Sequence, residues 1–304
     1  MVFRTYILGC SAATPTSLRH TSAQLLQHHN KYFLLDCAEG TQKQIRRYRL
    51  PLMKIDHIFI SHLHGDHYLG LPGLLFSWHL LGRTKKAHVY SPPGLKEIIE
   101  LQFKVCNMSP SYAIVFHVLE RPEERIYEDK NITVETLEMN HRIPTFGFYF
   151  KEKQKLLNMR KAAIEEYKIP MELIKSIKQG EDLVMDENRV IKNQHLTFPA
   201  PPVRSYAFCS DTAYTERFIH QIKGADMLYH EATFLMDMAH IAGEKTHSTT
   251  IDAATLAKKG EVKKLILGHY SARYDDTQMF VNEARTVFEN TVLGEEGLCI
   301  AVGD

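Results

Sequence analysis

The run Ser61-His62-Leu63-His64-Gly65-Asp66-His67 gathers three imidazoles and one carboxylate into six consecutive positions, His62 to His67, directly after the short apolar run His57–Ile60. Neutral imidazole and carboxylate are donors of the kind that hold zinc. Gly65 permits a tight turn that can bring such donors to one side of the backbone. A lone histidine would read as a surface or core residue. An HxHxDH run at the end of a strand reads as part of a metal site.

A metal pair needs more ligands, and they recur in one context: a β-type run followed by a polar side chain. Ile132–Leu137 leads to His141, Ser205–Phe208 to Asp211, Met227–Tyr229 to His230-Glu231, and Leu265–Leu267 to His269. Each alone is equally a turn residue or a core histidine. Their repetition after the HxHxDH run points to a site at the strand ends of a sheet, where α/β folds gather functional groups. His28, His29, His79, His117, His195 and His240 stand in no such pattern and receive no function.

The elements that must position these groups are short strands alternating with helices. Strands are predicted at Thr5–Leu8, Ala23–Gln27, Tyr32–Leu35, His57–Ile60, Ala87–Tyr90, Ile132–Leu137, Phe146–Phe150, Ser205–Phe208, Met227–Tyr229, Leu265–Leu267 and Leu298–Val302. Helices are predicted at Gly40–Tyr48, Leu71–Leu81, Gly94–Val105, Ala213–Gln221, Ser248–Lys259 and Thr277–Phe288. This alternation predicts a layered α/β fold. Arg46, Arg47 and Arg49 form a basic cluster by the first of these helices, either a solvated face or an RNA backbone contact.

Residues 151–199 break the pattern. Lys151–Lys178 carries eight basic residues against four acidic ones, and Pro199, Pro201 and Pro202 mark its far end. The segment reads as a partly helical insertion, and on charge alone a solvated excursion explains it as well as a binding arm.

The totals set limits. With 304 residues, 44% hydrophobic and 24% charged, the chain supports a large core and excludes global disorder. A net charge of +1 excludes binding of nucleic acid by bulk charge and leaves only a local patch. Five scattered cysteines without a CxxC argue against a disulfide framework or a cysteine zinc knuckle and for reduced thiols in a cytoplasm. The N-terminus reads as a strand rather than a signal peptide. No apolar stretch of about 18 residues is present to span a membrane.

Taken with longer motifs, the chain resembles the metallo-β-lactamase fold superfamily and, within it, the ribonuclease Z (tRNase Z) family of tRNA 3′-processing endonucleases. The resemblance runs through Leu8-Gly9 to Ala13-Thr14-Pro15-Thr16, Asp36-Cys37-Ala38-Glu39-Gly40-Thr41, Ser61–His67, His141 and Ser210-Asp211-Thr212. It continues through His230-Glu231-Ala232-Thr233, Thr246-His247-Ser248-Thr249 and Gly268-His269-Tyr270-Ser271-Ala272-Arg273-Tyr274. The HxHxDH run specifies only the superfamily; the last three motifs specify the family.

The resemblance implies an αβ/βα sandwich over residues 1–304 as a single catalytic domain, with 151–199 as a protruding tRNA-binding arm. It implies two zinc ions per chain, the first held by His62, His64 and His141, the second by Asp66, His67 and His269, with Asp211 bridging them. Manganese or iron would suit the same donors. Asp66 would hold a proton of the attacking water, His247 would protonate the leaving oxygen and Glu231 would orient His247. Arg273 would meet substrate phosphate, and Lys151, Lys153, Lys155, Arg160 and Lys161 of the arm would grip the tRNA. The implied partners are precursor tRNA and a second copy of the chain in a homodimer, with a 3′-hydroxyl left on the tRNA. Two departures stand out: Ile169-Pro170-Met171-Glu172 replaces the Gly-Pro pair usual in such arms, and Arg19-His20 replaces the frequent Arg-Asn. The competing readings are a small-molecule hydrolase of the same fold, which would need no basic arm, and a non-catalytic relative, which would lack some of the ligands.

Overall fold

A computed structural model describes residues 2–186 and 189–303; Met1, Glu187, Asn188 and Asp304 lie outside it. The chain divides into two compact units. One comprises Met1–Glu128, Thr133–Phe150 and Ser205–Asp304, and the other Asp129–Ile132 and Lys151–Arg204.

The first unit is built on two seven-stranded sheets among the described residues. In one the order is Cys299–Ala301, Phe3–Gly9, Ala23–His28, Lys31–Leu35, Ile55–Phe59, Ala87–Ser91 and Ile114–Val118. Its first three junctions are antiparallel and its last three parallel. The other sheet runs Thr291–Leu293, Leu265–Gly268, Met227–Glu231, Ser205–Cys209, Phe146–Glu152, Ile132–Glu138 and Arg125–Glu128. Its junctions from Ser205–Cys209 to Thr291–Leu293 are parallel.

Strand periodicity explains the layers. In Ile55–Phe59 successive side chains point to opposite faces. Phe59 packs on Phe148 and Phe150 of the other sheet, with ring centroids 5.3 and 5.6 Å away, while Ile58 joins Leu25, Leu34 and Val89 beneath a helix. That helix, Leu71–Leu80, buries Leu71, Leu74, Leu75 and Trp78, an i, i+3, i+4, i+7 stripe that presents one apolar face. Burying each such side chain contributes about 1.5–3 kcal/mol. Gly70, just ahead of the helix, must be glycine: a Cβ there would lie 1.9 Å from the Ala38 carbonyl oxygen. The helix start is therefore pressed onto the loop that follows Leu35. The helix Thr250–Lys259 begins with a capping box between Thr249 and Asp252, which satisfies otherwise unpaired N-terminal amides.

The shared direction of the parallel strands then sets the site. Lys31–Leu35 ends before Asp36, Ile55–Phe59 before Ser61-His62, Ser205–Cys209 before Asp211 and Leu265–Gly268 before His269; Met227–Glu231 ends on Glu231 itself. These are carboxyl ends, where loops of parallel sheets converge.

Several expectations change. Ala213–Gln221 is not a helix; only Ile219–Ile222 is. The Ala213 N–H donates to Asn140 O at 2.9 Å, and a bend at Tyr214 and a turn at Arg217-Phe218, where the Arg217 N–H donates to Thr215 Oγ1 at 3.4 Å, take the place of the first helical turns. Ile114–Val118 and Arg125–Glu128 form edge strands that the sequence reading passed over, and Ala239–Lys245 is an unforeseen helix.

The second unit has its own small core of Ala163, Ile169, Ile177, Leu183 and Leu196. Around it stand the helices Lys161–Glu166, Met171–Lys178 and Asn193–Leu196 and two short strand pairs. Pro170 immediately precedes the second helix, and Lys175 and Lys178 lie in its last turn, where cations complement the helix dipole. The unit is closed at its base by Glu152, whose carboxylate accepts from the Arg204 guanidinium at 2.8 and 3.0 Å.

Candidate functional site

The loops at the carboxyl strand ends of the first unit bring together two donor sets. His62, His64, His141 and Asp211 form one, and Asp66, His67, Asp211 and His269 the other; within each set the ligand atoms all lie within 4.8 Å of one another. Asp211 belongs to both. Its Oδ2 lies 3.6 Å from His62 Nε2, and its Oδ1 lies 3.3 Å from the Nε2 atoms of both His67 and His269. Asp66 Oδ2 is 3.4 Å from His67 Nε2 and 3.3 Å from His269 Nε2. His230, adjacent in sequence to Glu231, belongs to neither set; it is buried and its Nδ1 bonds the Glu231 backbone oxygen.

Four of the donors are aimed from behind by bonds to groups outside the two sets. Buried Asp36 accepts from His67 Nδ1 at 2.7 Å and from Ser61 N and Oγ at 2.8 and 3.0 Å. Occupying Nδ1–H in this way leaves the Nε2 lone pair directed into the site. Thr246 O does the same for His141 Nδ1 at 2.9 Å. For His269 the partner is Thr233 Oγ1 at 2.9 Å, whose own hydroxyl donates to Glu231 Oε2 at 2.8 Å. Asp66 Oδ2 accepts from Ala13 N at 2.8 Å. The loop carrying Ala13 is tied down in turn by Arg19, which donates to Tyr274 O at 2.6 Å, and by His20, whose Nδ1 lies 3.1 Å from Glu296.

Strain marks the same loops. Asp36, Thr246 and His269 have φ of 54°, 54° and 60°, a left-handed conformation that non-glycine residues adopt only at a cost of about 1–2 kcal/mol each. The surrounding hydrogen bonds hold the three residues there.

His67 Nε2 and Asp211 Oδ1 are buried without a hydrogen-bond partner among the described residues. Leaving such atoms unsatisfied costs about 1–3 kcal/mol apiece. A cation would satisfy both, and the nitrogen and carboxylate donor sets have the chemistry for it. The residues present therefore fit a metal cofactor. The electrostatics agree: burial opposes charge on His67, but Asp211, Asp36 and Asp66 outweigh it and raise its pKa well above the usual histidine value. The cluster thus attracts positive charge. His62 is held neutral, chiefly by burial and then by neighbouring His67.

Beside the donors stands a second constellation. Glu231 is fully buried and accepts from Thr212 N, Thr233 N and Ser248 N at 3.0, 3.0 and 3.1 Å and from His247 Nδ1 at 2.9 Å. Burial works against a charged His247, yet Glu231 prevails and raises its pKa to about 9. A cavity of about 460 Å³ opens over Asp66, His247 and His269 and is also lined by Arg142, Lys245 and Arg273. Arg273 lies over the Phe234 ring at 5.2 Å.

Arg142, Lys245, Asp36 and Thr233 are functional candidates that the sequence reading did not single out. Arg142 and Lys245 stand next to His141 and Thr246, which is a faint local signal. Asp36 follows a parallel strand directly, as the ligands do. Lys151, Lys153, Lys155, Arg160 and Lys161 lie in the second unit, with Lys151 and Lys161 exposed. There Arg160 stacks over Phe198 at 4.1 Å and donates to Thr197 O at 3.0 Å. Arg46, Arg47 and Arg49 are exposed.

Known proteins share this architecture. The family described as anti-Pycsar protein Apyc1 matches residues 3–195. A ribonuclease Z from Bacteroides thetaiotaomicron is 43% identical over 99% of this chain and 96% of its own length. One from Cytophaga hutchinsonii is 46% identical over 100% of this chain and 97% of its own. Among solved structures, human tRNase Z, short form, superposes with a TM-score of 0.72 at 26% identity, covering 99% of this chain and 100% of that one. The metallo-β-lactamase fold protein YhfI from Bacillus subtilis shares the fold, with a TM-score of 0.70 at 18% identity over 98% of both chains.

Proposed function

The chain belongs to the ribonuclease Z family of metal-dependent endoribonucleases with a metallo-β-lactamase fold, and from that premise we propose that it removes the 3′ trailer from precursor tRNA with two zinc ions per chain, leaving a 3′-hydroxyl on the tRNA. The observation that carries the reading is the pair of donor sets sharing Asp211, with the Glu231–His247 pair at 2.9 Å beside them.

When bound, the two cations supply activation of water near neutral pH and a charge sink for the phosphodiester oxygens. The chain's own residues do the rest. Asp66, fixed by the Ala13 amide, takes the proton that the attacking water gives up. The water oxygen bonds to phosphorus, the bond from phosphorus to the tRNA O3′ breaks, and the trailer departs with a 5′-phosphate. His247, with Nδ1–H committed to Glu231, delivers the proton on its other nitrogen to O3′. Arg273, on the rim of the cavity, pairs with a phosphate oxygen.

In this reading the second unit is the arm that holds the tRNA body, with Lys151, Lys153, Lys155, Arg160 and Lys161 on backbone phosphates. Such a grip reads shape more than sequence. The usual Gly-Pro pair is absent, so the arm's contacts are its own. The protein works as a homodimer in the cytoplasm. The apolar side chains Leu101 and Val105, one helical turn apart and 60% and 75% exposed, favour a partner surface. Leu80, 81% exposed, is a further apolar side chain open to a partner.

The test is cleavage of a 3′-extended tRNA transcript with and without chelator. Chelation should abolish trimming, zinc should restore it, and the tRNA product should carry a free 3′-hydroxyl. Cleavage that persists in a protein holding well under one zinc per chain overturns the proposal.

A further inference from the structure

At the opposite ends of the strands that carry Asp36 and Ser61-His62, the first unit has a second cavity. It lies at the starts of Lys31–Leu35, Ile55–Phe59 and Ala87–Ser91 and has a volume of about 860 Å³, larger than the cavity over the donor sets. At about 3.3 Å per residue, the length of Ile55–Phe59 separates it from His62 by some 15 Å. None of its lining residues belongs to the metal donors or to the Glu231–His247 pair.

Its charge is one-sided. Lys31, Lys54, Lys85 and Lys86 line it against one carboxylate, Asp56. That carboxylate is already engaged by Arg83, 2.8 Å away, and by Lys85. Lys54 and Lys86 are exposed and have no ion-pair partner among the described residues. The remaining walls offer flat and apolar surface: Tyr32, Met53, and the imidazoles of His57 and His88, stacked at 5.0 Å and 18°. Burial, then His88, drives the His57 pKa down to about 3, so this imidazole adds no positive charge at neutral pH.

We propose that this cleft binds a free nucleotide, its phosphates met by Lys54 and Lys86 and its base laid against Tyr32 and Met53. Ammonium groups without carboxylate partners favour a multiply charged anion, and lysine binds phosphate as a point charge. The volume lies in the range of small-ligand pockets. A binding path for single-stranded RNA would instead be a groove that tracks the backbone from one aromatic platform to the next.

The test is isothermal titration calorimetry of the zinc-loaded full-length protein with ADP, with adenosine as the uncharged probe. The comparison variant is K54E/K86E; both positions are exposed and remote from the donors, so its cleavage of 3′-extended tRNA should match the wild type. Any ADP bound at the metal donors is common to both proteins, and the difference isolates the cleft. The proposal expects ADP affinity at the cleft to fall at least about tenfold in K54E/K86E, to weaken with salt, and to vanish for adenosine. Identical ADP isotherms in the two proteins overturn it, as does adenosine binding as tightly as ADP. A short oligoribonucleotide that excludes ADP from the cleft would make the surface an RNA contact and also overturn it.

Discussion

At the scale of single residues, the donors and the groups behind them separate by what their loss removes. His247 belongs to neither of the two sets that share Asp211, and its Nδ1 is spent on Glu231 at 2.9 Å. His247→Ala should therefore keep its metal, as measured by metal analysis, while turnover falls by about 10²–10⁴-fold, the span of general acid catalysis. Wild-type turnover in that variant would remove the leaving-group role. Asp36 acts one step further back, through His67. Asp36→Asn should fold, since the amide oxygen still accepts from Ser61, but the His67 ring loses its charged partner. Cation affinity should drop by about 10–100-fold in a chelator competition. An unchanged affinity would show that Asp36 only closes the turn after Leu35. The seven side chains that the structure brings together were legible in the sequence because each follows a strand or sits in one short run. Thr233 and Arg142 were not, because their meaning comes from neighbours distant in the chain: Thr233 is 36 positions from His269, whose Nδ1 it accepts.

At the scale of elements, the parallel strands Ser205–Cys209, Met227–Glu231 and Leu265–Gly268 were legible because they are short, largely apolar runs buried along their whole length. The edge strand Arg125–Glu128 was not: charged ends flank only two apolar residues, all half-buried or exposed, so no period shows. Ile114–Val118 has the apolar composition of a strand and differs only in being half-buried or exposed at the sheet edge. The Ala213–Gln221 segment failed for another reason: a local turn, in which the Arg217 N–H donates to the Thr215 hydroxyl, competes with the helix. Between the legible and the illegible lies His57, on the inner face of a strand whose apolar character predicted burial. Its imidazole is held neutral, with the pKa lowered to about 3 by burial and by His88. The folded value lies below the unfolded one, so below about pH 6.5 the unfolded chain binds a proton that the folded chain refuses. Stability contributed above that pH is lost progressively as pH falls toward about 3. Between pH 7.5 and 5 the wild type should lose about 2 kcal/mol more in urea unfolding than His57→Phe. Loss of metal at acid pH is common to both proteins and cancels in the comparison; equal losses would mean that His57 is solvated.

At the scale of the whole molecule, the near-zero net charge hides an uneven distribution. Eight basic residues against four acidic ones fall within Lys151–Lys178, a stretch of the second unit, which has a core of its own. The sequence marked this segment by composition and set its far end at the prolines from Pro199; the compact unit runs on to Arg204, five positions past Pro199, whose bond to Glu152 no composition reveals. A segment with an independent core and a closed base can be removed without opening the sandwich. Replacing residues 155–201 by a short glycine-serine turn should leave Glu152 and Arg204 paired and the donor sets whole. Phosphate contacts made by lysine and arginine govern affinity for a large polyanion but not the chemistry at the scissile bond, so the two substrates should part company. Hydrolysis of a small chromogenic phosphodiester should stay within about twofold of the wild type, while kcat/KM for 3′-extended tRNA should fall by at least about a hundredfold. The salt dependence of tRNA cleavage should flatten at the same time, because fewer counterions are released on binding. Equal loss on both substrates would mean that the second unit supports the catalytic fold rather than the tRNA, and retention of both would leave its lysines as solvated surface.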